Sequence, residues 1–216
     1  DMVNWFRRRL GTKRIGHLGT LDPAAAGVLP LCVGKATRLV EYMSDWDKEY
    51  RAEMVLGLVT DSQDTSGNIK SRQTGIDLNE DEIIRTIQGM AGTRRQVPPM
   101  VSAVKYQGRR LYELARKGRE IEPPSRDITI YNVNVLRVYR RNGFYRAVFD
   151  ASVSKGTYIR TICHDIGQKL GCGGTLAFLI RTRVGPFSLS DSWLMEEVGR
   201  EIEDESFNFL LPSDMG

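Results

Sequence analysis

The 216-residue sequence has few of the features that mark secreted, membrane or metal-binding proteins. Its three cysteines and two histidines form no Cys-x-x-Cys or His-x3-His pair, so we expect neither a disulfide framework nor a metal site. The longest apolar run, residues 24–33, is interrupted by Gly27 and Pro30 and is far shorter than the roughly 18 residues that a membrane-spanning helix needs. No signal-peptide pattern opens the sequence. These absences predict a cytoplasmic protein without membrane association.

Nucleotide-binding motifs, internal repeats and low-complexity tracts are also missing. Apolar residues make up 41% of the chain, which is enough to build a buried core at this length. The sequence therefore predicts one globular domain.

Charge is unevenly distributed, although the net charge is only +4. Residues 105–126 carry seven basic and three acidic side chains, and residues 137–146 carry four arginines. Residues 196–205 instead hold six acids and one arginine. Such segregation is typical of a surface that binds a polyanion, with an acidic region elsewhere. Charge alone leaves an ordinary solvated surface equally open.

Hydrophobic periodicity predicts an α+β chain. The expected helices cover residues 3–10, 36–43, 79–90, 111–117 and 157–170. The expected strands cover residues 28–33, 48–58, 128–139, 144–153 and 176–184. A hairpin turn at Arg141-Asn142-Gly143 should join the third and fourth strands. Residues 60–75 are expected to form a loop, and the residues after Phe187 to be irregular and acidic.

One carboxylate stands in a sequence that restricts its direction, Gly16-His17-Leu18-Gly19-Thr20-Leu21-Asp22-Pro23. The two glycines permit close backbone approach, and the proline restricts Asp22 to extended conformations. An isolated Asp-Pro pair is most often a simple turn. The two glycines could also form the backbone clamp of a KH module, but that clamp joins two helices, which Asp-Pro does not suit.

The longer pattern is more specific. With GVLP at residues 27–30 and GKATR at residues 34–38, it resembles the signature motif of the TruB-type tRNA pseudouridine synthases. DKEYR at residues 47–51 and SKGTYIRT at residues 154–161 resemble two further motifs of that family. The block at residues 96–126 resembles the corresponding region in the bacterial branch of the family, whose members act on tRNA alone. In all, the resemblance extends from Val3 to Phe187.

The resemblance implies a pseudouridine synthase catalytic domain. Such a domain has a central, mostly antiparallel mixed sheet flanked by helices and loops, with the active cleft across its middle. The resemblance also assigns Asp22 as the catalytic carboxylate and Arg160 as the residue that pairs with it. The substrate-binding residues that it implies are His17, Arg38, Tyr50, Tyr158 and Leu179. Without the resemblance, Arg160 is more simply a solvated charge and Tyr50 a core residue.

Pseudouridine formation breaks the bond between uracil N1 and the ribose, turns the base and rejoins it through C5. One ionised carboxylate can serve as base or nucleophile, so no cofactor is expected. The implied substrate is a flipped-out uridine at position 55, in the T stem-loop of tRNA. We expect a monomer that uses no guide RNA.

Two alternatives stay open from the residues alone. The first is a tRNA-binding and refolding module in which the chemistry is dispensable. The second is a glycoside hydrolase, which needs two carboxylates on either side of one bond, whereas only Asp22 is well placed.

The expected domain organisation departs from that of the family at both ends. The catalytic domain is expected at residues 1–187, without the N-terminal segment that family members usually carry. Residues 188–216 are expected to form an acidic extension too short for the family's C-terminal PUA module. These departures suggest a fragment.

Overall fold

The computed structural model describes residues 2–102, 104–111, 121 and 123–211. The chain divides into two compact units, a smaller one of residues 1–46 and 181–216 and a larger one of residues 47–180. The predicted helix at residues 111–117 lies outside the described residues except for Leu111.

Helices and strands alternate irregularly along the chain. The α-helices are α1 (Met2–Arg9), α2 (Val40–Met43), α3 (Glu80–Gln88), α4 (Ile159–Lys169) and α5 (Met195–Glu203). The first strands are β1 (Ile15–His17), β2 (Ala25–Gly27), β3 (Leu31–Val33), β4 (Lys48–Leu56), β5 (Leu58–Thr60), β6 (Ile69–Arg72) and β7 (Gly92–Gln96). The later strands are β8 (Lys105–Tyr106), β9 (Arg109–Arg110), β10 (Arg126–Arg141), β11 (Phe144–Val153), β12 (Gly174–Val184) and β13 (Phe187–Ser188). Two 3-10 helices cover Gly34–Leu39 and Leu189–Asp191.

A sheet forms the centre of the larger unit, with its strands in the order β12, β4, β11, β10, β7. The pairs β4–β11, β11–β10 and β10–β7 are antiparallel. Alternate side chains of β4 and β11 are buried on one face, as a strand's period of two requires. Fully buried residues of α3 and α4 add to the apolar interior of this unit: Ile83, Ile87, Ile162 and Ile166. The predicted α+β class is confirmed.

Two local predictions of the sequence are confirmed in atomic detail. Asn142 and Gly143 have φ of 53° and 79°, the left-handed values that a type I′ turn needs between β10 and β11. Asn79 caps α3, because its side-chain oxygen accepts a hydrogen bond from the backbone N–H of Asp81 at 2.8 Å.

The smaller unit holds two apolar clusters. The buried members of the first are Leu18, Val28, Cys32 and Val184, and those of the second are Phe6, Ile15 and Val198. Strand β1 pairs with β3, and residues 183–184 at the end of β12 pair with β13. Both clusters therefore combine residues from the two ends of the chain.

The prediction that the residues after Phe187 are irregular was wrong. Of the described residues after Phe187, Ser188 completes β13, Leu189–Asp191 form a 3-10 helix and Met195–Glu203 form α5. In α5, Met195, Val198 and Ile202 recur at helical spacing and belong to the second cluster, while four of the other six positions are glutamates. The sequence already contained this apolar spacing, but the acidic composition of the segment suggested an irregular structure instead.

Two strand predictions also need correction. The strand expected at residues 28–33 is confined to Leu31–Val33, because Pro30 has no N–H to donate to a ladder. The loop expected at residues 60–75 contains β6, which pairs with β5. Between β4 and β5 the chain turns at Gly57, whose φ of 86° is one that residues with a side chain rarely adopt. A Cβ at this position would also lie 2.3 Å from the Gln73 carbonyl oxygen, so only glycine fits.

Among the described residues, no helix combines the length and the apolar character needed to cross a membrane.

Replacing Asn79 with alanine should lower the free energy of unfolding by about 1 kcal/mol, because the first turn of α3 loses its capping acceptor. Urea denaturation followed by circular dichroism measures the change. Asn79→Asp keeps an acceptor at this position and is expected to stay close to the wild type. Equal losses in the two variants would contradict the capping role.

Candidate active site

Asp22 lies in the loop between β1 and β2 of the smaller unit. Its carbonyl oxygen accepts a hydrogen bond from the Ala25 N–H at 2.9 Å, which closes a tight turn around Pro23. The Asp22 side chain is partly buried. The turn thus fixes the backbone from which this carboxylate projects, as the sequence predicts.

A buried arginine holds this loop on both sides of Asp22. The Arg181 side chain is 1% exposed, and it donates from Nε to the Val28 carbonyl oxygen at 2.8 Å and from Nη2 to that of Gly19 at 3.1 Å. Gly27 packs so tightly against this segment that a Cβ would lie 2.2 Å from the Arg181 carbonyl oxygen. Sequence reasoning missed Arg181, since nothing local to the loop indicates a partner 162 residues away.

His17 and Arg38, the other predicted site residues of this unit, differ in their surroundings. The Nδ1 atom of His17 accepts a hydrogen bond from the Gly19 N–H at 3.2 Å, inside the loop that carries Asp22. Burial, and secondarily the Arg181 charge, lower the pKa of His17. Arg38 lies exposed in the 3-10 helix after β3.

Arg160 is buried in the larger unit, with 3% of its surface exposed, in the first turn of α4. Its guanidinium donates from Nη1 to the Ser62 carbonyl oxygen at 3.1 Å and from Nη2 to that of Val101 at 3.0 Å. The carboxylate of Asp64 lies 3.6 Å from Nη1. These acceptors come from segments far apart in the sequence, and they fix the plane of the guanidinium.

Asp64, the acid that lies near Arg160, was not predicted from the sequence. Its carboxylate accepts hydrogen bonds from the Ser62 hydroxyl at 2.7 Å and from the Ser66 N–H at 3.0 Å, and its carbonyl oxygen accepts from the Thr60 hydroxyl at 2.7 Å. Hydrogen bonds within its own loop therefore fix the position of the Asp64 carboxylate that lies near Arg160. The dense hydroxyls and acids of residues 60–66 were the available signal, but they also suit an ordinary polar turn.

Tyr158 immediately precedes α4, and its ring lies near two guanidinium groups. The distances from the ring centroid to the guanidinium carbons are 5.0 Å for Arg126 and 5.8 Å for Arg160, within the range of cation–π attraction. Tyr50 is partly buried on β4, and Leu179 is 7% exposed on the neighbouring β12.

The structure thus brings Arg160 and Tyr158 together in the larger unit. In the smaller unit, His17 ends β1 and Asp22 lies in the loop that follows. Within the described ranges, no three His, Cys, Asp or Glu side chains are arranged to hold a metal ion.

Comparison with known proteins assigns the family. The sequence profile described as TruB family pseudouridylate synthase (N terminal domain) matches residues 7–159, and that of the tRNA pseudouridylate synthase B C-terminal domain matches residues 160–216. The chain belongs to the TruB family of pseudouridylate synthases. The family predicted from the motifs is confirmed, and with it the class of enzyme.

Individual relatives agree with the profiles. The chain is 52% identical to the tRNA pseudouridine synthase B of Moorella thermoacetica, over 100% of this chain and 71% of the relative. It is 44% identical to the tRNA pseudouridine synthase B of Alkaliphilus oremlandii, over 99% of this chain and 69% of the relative.

Solved structures show the same fold. A chain in the crystal structure of a Cbf5-Nop10-Gar1 complex matches with a TM-score of 0.72 and 29% identity, over 97% of this chain. A chain in the structure of an H/ACA RNP bound to a substrate RNA containing 2'-deoxyuridine matches with a TM-score of 0.68 and 28% identity, over 96% of this chain. This chain spans 52% of each of those chains.

The predicted domain boundary at residue 187 stays a prediction. The family profiles divide the chain between residues 159 and 160, and the compact units divide it after residues 46 and 180.

Asp64→Asn should lower the free energy of unfolding by about 2 kcal/mol, because the buried guanidinium of Arg160 loses its nearby negative charge. Chemical denaturation measures this loss. Asp61→Asn is the matched control, since the Asp61 carboxylate accepts hydrogen bonds from Asn68. A loss at Asp61 as large as at Asp64 would speak against the ion pair.

His17 should make the protein less stable as the pH falls from 7.5 to 5.5. Because the folded state lowers the pKa of His17, the unfolded chain binds this proton at higher pH than the folded protein does. Stability is therefore lost as the pH falls through the ordinary histidine pKa of 6.5. Thermal unfolding at both pH values should show a smaller loss in His17→Gln. Parallel losses in the two proteins would refute this role.

Proposed function

We propose that this chain is a tRNA pseudouridine synthase that isomerises the uridine at position 55, in the T stem-loop. The observation that carries the proposal is the identity of 52% and 44%, over 100% and 99% of this chain, to two relatives named tRNA pseudouridine synthase B. The sequence motifs around Asp22, Tyr50 and Arg160 support catalysis, because a protein that only binds RNA has no need of a carboxylate directed towards phosphates.

Asp22 is the proposed catalytic carboxylate. During the reaction the N1–C1′ bond of the uridine breaks, the base turns, a C5–C1′ bond forms, and C5 releases its proton while N1 gains one. The carboxylate can begin this sequence by attacking C1′, by attacking C6 of the base or by removing the 2′ proton. Each route requires an ionised Asp22 in a loop of fixed shape, which the Arg181 hydrogen bonds favour.

Arg160 is proposed to keep the reacting carboxylate ionised. A positive charge nearby favours the charged form of an acid where water is excluded. The guanidinium of Arg160 is oriented by protein groups alone, the carbonyl oxygens of Ser62 and Val101. It therefore needs little rearrangement to act on a bound group.

Base recognition is assigned to Tyr50, Tyr158 and Leu179. A uridine taken out of a stacked loop needs a ring or an aliphatic side chain against which to pack. His17 and Arg38 are proposed to contact the displaced RNA around it. The proposed enzyme is a cytoplasmic monomer that acts without a guide RNA. The higher identity to the bacterial tRNA enzymes than to the H/ACA protein chains supports the last point.

The alternative function is binding and refolding of tRNA, with dispensable chemistry. It is favoured by the basic segments of the sequence, which suit an RNA backbone with or without catalysis.

Tritium release from tRNA labelled at uridine C5 tests the proposal. Asp22→Asn should lower the rate of release at least about 100-fold while tRNA binding stays near the wild-type level, because only the reacting carboxylate is lost. Glu41→Gln, which removes an exposed carboxylate from α2 of the same unit, should keep the wild-type rate.

Two further results decide between the functions. A tRNA labelled at its remaining uridines, in which cytidine replaces the uridine at position 55, should release no tritium. Wild-type protein that binds tRNA without releasing tritium would favour the refolding module, and full activity of Asp22→Asn would refute the assigned carboxylate.

A further inference from the structure

Gln96 is a buried polar residue without a role in the function proposed above. It ends β7 and is 2% exposed. Its side chain lies against the backbone of Tyr158, 62 residues away in sequence. The side-chain oxygen accepts a hydrogen bond from the Tyr158 N–H at 2.8 Å, and the side-chain Nε2 donates to the Tyr158 carbonyl oxygen at 3.1 Å.

These two hydrogen bonds reproduce what a neighbouring strand would offer. Tyr158 has extended φ and ψ of −101° and 113°, and no side-chain hydrogen bond caps the helix that follows it. An amide side chain carries a donor nitrogen and an acceptor oxygen on adjacent positions at any pH, so it can accept from the N–H and donate to the C=O of one residue. Gln96 thereby fixes the backbone of Tyr158 at the point where α4 begins.

The same segment also reaches Arg160. Five residues after Gln96, the Val101 carbonyl oxygen accepts the hydrogen bond from Arg160 Nη2 at 3.0 Å. Between these two contacts lie Pro98 and Pro99, both buried, whose rings restrict the backbone. Residues 96–101 therefore form one conformationally restricted segment that contacts the Tyr158 backbone through Gln96 and the Arg160 guanidinium through Val101.

We propose that Gln96 is a positioning residue for pseudouridine formation. By fixing the Tyr158 backbone, it sets the direction of the Tyr158 ring and the start of the helix that carries Arg160. It touches no reacting atom, so its loss should slow the chemical step and leave tRNA binding almost intact. This inference rests on the proposed function.

Single-turnover tritium release at saturating tRNA tests the proposal. Gln96→Leu keeps a side chain of similar size and removes both hydrogen bonds, so the rate constant should fall at least about 10-fold, since small misplacements of reacting groups are costly. The dissociation constant for tRNA should change by less than about threefold, because the contacts with the RNA backbone persist.

Gln96→Glu gives a pH-dependent readout, taken where circular dichroism shows the variant to be folded at both pH values, so that a loss of stability from a buried charge does not enter the rate. A protonated glutamic acid donates to the Tyr158 carbonyl oxygen, whereas an ionised one repels it. Burial raises the pKa of such a carboxyl, so its titration should fall in the accessible range. The rate of Gln96→Glu relative to wild type should therefore rise as the pH is lowered from 8 to 6. A ratio that is constant with pH would overturn the proposal even if Gln96→Leu fails to fold.

Thr175→Val is the matched control. Thr175 is fully buried, and its hydroxyl donates to the Leu58 carbonyl oxygen at 2.7 Å, so the variant loses a similar buried hydrogen bond of the larger unit. It should lose stability but keep the wild-type rate below its melting transition. A rate for Gln96→Leu equal to that of this control would overturn the positioning role.

Hydrogen exchange separates failure of this inference from failure of the proposed function. Wild-type protein that releases no tritium contradicts the function, whatever Gln96 does. Exchange of the Tyr158 N–H, measured by NMR, should accelerate in Gln96→Leu and not in Thr175→Val. Unchanged exchange would overturn the inference without bearing on the function.

Discussion

The guanidinium of Arg160 lies in the interior of the larger unit, where an uncompensated charge costs several kcal/mol. That cost is offset because two other parts of the chain supply acceptors to the guanidinium: the loop at Ser62 and Asp64, and the segment ending at Val101. If any of these parts were displaced, a charged donor would be left buried without its acceptor. Compensation of this one charge therefore requires the Ser62–Asp64 loop, the segment ending at Val101 and α4 to keep fixed positions relative to one another.

The smaller unit uses the same chemistry for another purpose. Arg181 is as deeply buried as Arg160, and it too donates to backbone carbonyl oxygens, those of Gly19 and Val28. Carbonyl acceptors depend little on side-chain identity, so the loop sequence can serve substrate contacts while the arginine maintains the loop's shape. The forked guanidinium matters here, because lysine offers a single point charge that cannot hold two diverging carbonyls in the same way.

The sequence predicted those features whose signals are local. Asn142-Gly143 determines its turn through its own φ preferences, Asn79 caps the helix that follows it, and the apolar spacing of α4 is visible within a few residues. The contacts of Arg160, Arg181 and Gln96 could not be predicted in this way. Each joins segments 59 or more residues apart, and the pairing depends on strand register and on backbone carbonyls that every residue possesses. The motifs predicted roles for Arg160 and Tyr158, whereas their contacts with Ser62, Gln96 and Val101 could be recognised only in the fold.

The two-segment composition of the smaller unit has a consequence for synthesis on the ribosome. Residues 1–46 leave the exit tunnel first, but Arg181 and Val198, which complete their packing, follow only after the whole larger unit has been translated. The nascent Asp22 loop therefore lacks its hydrogen bonds to Arg181 while residues 47–180 are synthesised, and it reaches its final shape late. Closing contacts over so long a stretch of chain is entropically slow, so folding of this unit should be completed after that of the larger one. A growing polypeptide would then acquire its proposed catalytic carboxylate in working geometry only when translation of the described chain is almost complete.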